Sequence, residues 1–197
     1  MSRRAKGVGG RRVGGRPTYP TFLIVCEGAS TEPQYFEGFK LPSASIVGAG
    51  RNTRSLVEEA IRLKEKSEPR DHYWCVFDRD SFPAQSFNAA LERARSAGFE
   101  VAYSNEAFEL WYLLHFSYSE SALARRLYTD KLTKLLGRPY QKHDPTIYET
   151  LLPRQDDAIK NARRLLVRYE PNHSPEKDNP STRVHVLVEL LRTAQRR

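Results

Sequence analysis

Cysteine is nearly absent: Cys26 and Cys75 are the two in 197 residues. A disulfide framework or a thiolate metal cluster needs more, at repeated spacings, so neither is expected. Each cysteine lies inside an apolar run and reads as a small buried hydrophobe in a reducing compartment. No stretch approaches the ~20 apolar residues of a membrane helix, and the N-terminal segment lacks the apolar centre of a secretory signal. The expectation is a cytoplasmic protein with no membrane partner. The five histidines (His72, His115, His143, His173 and His185) share no metal-ligand spacing. His115 reads as packing on an aromatic helix.

Acid is missing from residues 1–16, which hold Arg3, Arg4, Lys6, Arg11, Arg12 and Arg16 among glycines. Residues 1–17 therefore read as a disordered Arg/Gly-rich arm, unable to bury enough apolar surface to fold. Such an arm attracts phosphate backbones without sequence preference, or it only keeps the terminus solvated; both readings stay open. The formal charge of +8 belongs mostly to this arm, since the rest has 26 basic against 24 acidic residues, a net of +2. A strongly basic body is thereby excluded.

What is present reads as an α/β domain, and 39% hydrophobic residues suffice for one such core plus a helical extension. The apolar runs Phe22–Cys26, Ala44–Gly48, Tyr73–Phe77 and Phe99–Tyr103 predict strands. Between them lie a helix opened by Ser30 or Thr31, one over Thr53–Lys66, and one over Ser86–Ser96 that Gly98 breaks. Strand and helix in alternation predict a parallel, right-handed βαβ sheet over residues 18–104. From residue 105 to 197 only helices are expected, packed on that core: Ala107–Phe116, Ser121–Leu136, a short one from Tyr148, and Asp156–Tyr169. A last helix is predicted with Asn179 as its cap and Pro180 at its first position.

Two strand ends carry acids. Asp78 and Asp80 close the third run, and side chains two apart on an extended strand leave the same face, so both can meet one ion. Glu27 ends the first run, and in open α/β sheets functional groups gather at the carboxyl ends of strands. Mg²⁺ takes one or two protein carboxylates and fills its octahedron with water and phosphate oxygens, so a sparse acidic set suits phosphoester chemistry. Aspartates also end strands and cap helices as ordinary turn formers.

Val25-Cys26-Glu27-Gly28 with Thr31-Glu32-Pro33 and Tyr35-Phe36, the Asp78-Arg79-Asp80 strand end, Ser104-Asn105, Phe108-Glu109-Leu110-Trp111, Leu114-His115-Phe116 and Asn179-Pro180-Ser181-Thr182 together resemble the RloB-like proteins. The resemblance covers almost everything outside the arm. It implies a Toprim-like catalytic fold with Mg²⁺- or Mn²⁺-dependent chemistry at phosphodiesters in RNA, transfer RNA included, or in DNA. It also implies a role in bacterial anti-phage defence beside an ATPase partner of the RloA or overcoming-lysogenisation-defect type. By position, Asp78 and Asp80 would be the primary metal ligands, and Glu27 a general acid or base or a further ligand. Glu109 would complete a site for one or two ions. Glu32 is either a further site acid or a helix-dipole partner. Ser81 and Phe82 stand where many Toprim sequences carry further acids.

Lys142, near a point where the family often has a lysine, is either a phosphate contact or a solvated loop charge. Lys160, Arg164 and Arg168 recur at four-residue spacing and make one basic helix stripe, a candidate nucleic-acid contact or a solvated face. Two other classes remain: a non-catalytic subunit that binds nucleic acid or the ATPase through a degenerate site, and a nucleotidyl-transferring Toprim enzyme. Self-association is left open.

Overall fold

A computed structural model describes residues 19–80 and 83–196. The basic arm over 1–17 and the Ser81-Phe82 pair lie outside the described residues.

Strands β1 (Phe22–Cys26), β2 (Ala44–Gly48), β3 (His72–Asp78), β4 (Glu100–Asn105) and β5 (Ser181–Thr182) form one sheet in the order β2-β1-β3-β4-β5. The first four are mutually parallel, with Cys26 level with Val76 and Asp78 with Ser104. Helices α1 (Thr31–Glu37), α2 (Thr53–Lys66) and α3 (Ala84–Ser96) make the three crossovers. Gly98, at φ +78°, supplies the left-handed backbone that turns the chain from α3 into β4.

Both faces of the sheet are covered, which is why β1 is apolar throughout. Phe22, Ile24 and Cys26, with Trp74, Val76 and Ala102, face one core; Leu23, Val25, Cys75, Phe77, Val101 and Tyr103 face the other, under α2 and α3. The first core is shared by α1 with α4 (Glu109–Leu114), α5 (Arg125–Leu136), α6 (Ile147–Leu151), α7 (Gln155–Val167) and α8 (Val184–Gln195). Both cysteines are buried, and burial pushes the Cys75 thiol up to about 12.

Tyr35 is the hub of that larger core. Its ring meets Phe36, Phe39, Phe108, Trp111, Tyr112, His115 and Tyr148 at centroid distances of 5.5–6.3 Å, six of them edge-on and Tyr112 tilted. Such contacts add about 0.5–1.5 kcal/mol each beyond area burial. His115 packs there as expected: its Nδ1 bonds the Trp111 carbonyl at 2.8 Å, and burial lowers its pKa to about 4.

The carboxyl-terminal end departs from expectation. Asn179 and Pro180 do not open the last helix; Ser181 and Thr182 instead pair antiparallel with Asn105 and Ser104, and α8 begins at Val184. The Thr182 hydroxyl explains this: it bonds the Tyr103 carbonyl at 3.0 Å and accepts from the Val184 N–H at 3.2 Å, joining strand to helix. Helix α5 also starts later than expected, at Arg125, because Ala124 is extended. Among the described residues, no helix is long and apolar enough to cross a membrane.

Candidate metal and phosphodiester site

Strand β1 lies between β2 and β3, so the crossovers leave it in opposite directions and the crevice beyond β1 and β3 is a topological switch point, where open α/β sheets place their ligands. Glu27 follows β1 at this crevice and Asp78 ends β3. Glu27 continues the ladder by donating its N–H to the Val76 carbonyl at 2.9 Å. Its carboxylate is held at both oxygens: Oε2 accepts from the Asp78 N–H at 3.0 Å, and Oε1 from the Thr53 hydroxyl at 2.9 Å. Burial raises the Glu27 pKa, partly opposed by these two hydrogen bonds, while the Asp80 charge raises it further.

Asp78, Glu32 and Glu109 are each only 5% exposed. Glu32, near the start of α1, folds back so that its Oε1 accepts from the Gly28 N–H at 3.4 Å. A Cβ on residue 28 would stand 2.1 Å from Glu32 Oε2, so the Glu-Gly turn leaves room for a second acid. Burial, then the charges of Glu109 and Glu27, raise the Glu32 pKa. Asp78 is pushed well above the usual carboxylate range by burial and by Glu32, with Arg125 pulling the other way. Glu109 opens α4, a helix buried along its whole length, and its Oε1 accepts from the Tyr140 hydroxyl at 3.2 Å.

A cavity of about 370 Å³ brings together Glu27, Glu32, Asp78, Asp80 and Glu109, with Arg125, Lys142 and His143. The Thr31 hydroxyl donates to the Lys142 carbonyl at 3.3 Å and ties that loop to α1. Arg125 Nη2 stands 2.9 Å from Asp78 Oδ2, and Nη1 stands 3.6 Å from Asp80 Oδ2. Thus the aspartates do converge, although β3 ends between them.

The stripe on α7 does not join this cavity. Arg164 stacks on the Tyr118 ring at 3.8 Å, and Arg168 faces Glu120 at 3.6 Å. Lys160 lines a separate groove of mixed charge with Asp156, Arg163 and Glu189. Sequence reasoning gave Arg125 no individual role, and it passed over Thr53 and Tyr140. Their places depend on how distant segments cross the sheet end, and neither spacing nor composition signals that.

Among the described residues, no three His, Cys, Asp or Glu side chains form a ready-made cluster for an ion. The donor chemistry nevertheless fits Mg²⁺ or Mn²⁺: hard carboxylate oxygens, in excess over the cations beside them, with two already converging on one cationic group.

A family model described as RloB-like protein matches residues 22–191. Comparison with curated proteins and with solved structures gave no match.

Proposed function

This chain belongs to the RloB-like family, and from that premise we propose that it is a Mg²⁺- or Mn²⁺-dependent nuclease. It cleaves phosphodiesters in RNA, with transfer RNA a candidate target, or in DNA. Its setting is bacterial anti-phage defence, beside an ATPase partner of the RloA or overcoming-lysogenisation-defect type. The observation that carries this reading is the gathering of Glu27, Asp78 and Asp80 around one cavity at the switch point of the sheet.

Asp78 and Asp80, with Glu27, would hold the divalent ion. Bound there, it supplies Lewis acidity and neutralises charge developing on a phosphoryl group. Glu27 is the proton-handling group. Its carboxylate is oriented by Asp78 and Thr53, and its raised pKa brings it nearer to neutral pH, where a general base works best. It takes a proton from the attacking water. Lys142, at the wall of the same cavity, offers an ammonium to a phosphate oxygen. Glu32 and Glu109 add the negative charge that favours a cation here.

The test is incubation of the purified protein with RNA and with DNA, in Mg²⁺ or Mn²⁺ and in chelator, with and without the partner ATPase. Cleavage that requires the ion and is lost in Asp78→Ala and Glu27→Ala supports the proposal. Cleavage that persists in either variant sinks it. A second reading, a binding subunit with a degenerate site, draws on the Arg125 ion pairs, which already engage two of the acids. Absence of cleavage under every condition would favour that reading.

A further inference from the structure

Arg125 bridges the same two carboxylates that the proposed function assigns to the divalent ion. Its Nη2 takes Asp78 Oδ2 at 2.9 Å and its Nη1 faces Asp80 Oδ2 at 3.6 Å. An ion drawing on both aspartates must share this space with a guanidinium, and two cations at such separations repel. The two sides of the contact differ in freedom. The Asp78 side chain is 6% exposed and held in the sheet end, whereas that of Arg125 is 45% exposed. Arg125 is also the first residue of α5, and residues 117–124 before it form neither helix nor strand. The arginine can therefore leave while Asp78 stays.

We infer that Arg125 is an internal counter-ion that holds Asp78 and Asp80 until a divalent cation displaces it, and that its freed guanidinium then grips a substrate phosphate. The inference rests on the metal-dependent reading of this site. Guanidinium forks match two phosphate oxygens as well as they match carboxylates, so the group exchanges one partner for another at the same cavity. Cation and phosphate thereby become coupled ligands: the cation releases the arginine, and the phosphate keeps it away from the aspartates. By reciprocity, each tightens the binding of the other.

Mn²⁺ binding to the full chain, followed by electron paramagnetic resonance, tests this without reference to cleavage. Circular dichroism checks that each variant is folded. Arg125→Gln should bind Mn²⁺ on the order of tenfold more tightly than wild type, within the usual span of coupling between sites. Arg126→Gln, which changes the same charge one residue along the helix, should stay within about twofold of wild type, below the usual coupling between sites. A phosphorothioate oligonucleotide should tighten Mn²⁺ binding in wild type but not in Arg125→Gln. Equal Mn²⁺ affinity in wild type and Arg125→Gln, or equal gains in the two arginine variants, overturns the counter-ion. Failure of both wild type and Arg125→Gln to bind, or binding that Asp78→Asn leaves intact, overturns the metal-site reading itself and this inference with it.

Discussion

The backbone N–H of Asp78 donates to the Glu27 carboxylate at 3.0 Å, so the strand that bears the aspartate pair also aims the glutamate of its neighbour. The second hold on Glu27, the Thr53 hydroxyl at 2.9 Å, favours its ionised form. In Thr53→Val the Glu27 pKa rises further. If Glu27 is the base, the acidic limb of the cleavage profile moves to higher pH, with a loss of about tenfold along that limb for each unit moved. Single-turnover rates across pH read this directly; an unmoved limb would remove Glu27 from the proton path.

Glu32 sets a different pH dependence. Burial and the charges of Glu109 and Glu27 raise its pKa, so between the unfolded and folded values the folded state holds a proton that the unfolded chain releases. The stability tied to that proton is full below the unfolded value of about 4.3 and falls as pH rises through the higher folded value. Glu32→Gln keeps an acceptor for the Gly28 N–H and removes the charge. In chelator it should melt above wild type at pH 7.5, by about 2–4 °C if the gain is about 1 kcal/mol. Below pH 4 the two should converge. Thermal unfolding at several pH values decides it, and a lower melting point at pH 7.5 would count against an electrostatic cost at this acid.

Gly28 faces a steric limit rather than an electrostatic one. With Glu32 Oε2 lying 2.1 Å from where a Cβ would sit, Gly28→Ala must expel the Glu32 carboxylate. The atoms displaced are the far end of one flexible side chain, so the fold should tolerate the change. We expect a folded protein with weakened Mn²⁺ binding, and calorimetric titration would reveal unchanged binding if Glu32 does not matter there.

Tyr35 tests the link between core and site. Tyr35→Ala empties the centre of the aromatic cluster and should cost about 3–5 kcal/mol in urea denaturation. Tyr35→Phe keeps the ring, loses the hydrogen bond from the Gln155 amide at 3.1 Å and should cost about 1 kcal/mol. Similar losses in the two would shift the weight from ring packing to the hydroxyl.

The central strand was legible because chains buried on both faces read as unbroken apolar runs: β1 begins and ends where the sequence predicts, and so does the half-buried edge strand β2. Glu27 and Asp78 were legible for a related reason, since an acid directly after such a run must lie at a sheet end. β5 was not. Ser181 and Thr182 carry no strand signal, and their pairing rests on hydroxyl contacts, such as Ser104 Oγ to Thr182 Oγ1 at 3.0 Å, made with residues nearly 80 positions earlier. Asn179-Pro180 has the local chemistry of a helix start, and a tertiary contact overrides it. Arg125 was hidden among neighbouring basic residues because an irregular stretch, residues 117–124, decides which of them reaches the aspartates.

The order in which the sheet is assembled carries a consequence for biosynthesis. β4 is complete about midway along the chain, yet its outer edge, at Ser104 and Asn105, stays open until residues 181 and 182 emerge. An unpaired edge invites other chains, and β4 leads straight into the segment that delivers Glu109. Between Asn105 and Ser181 the growing polypeptide therefore carries a strand end it has not yet covered, and a fragment that stops before Ser181 keeps that edge open.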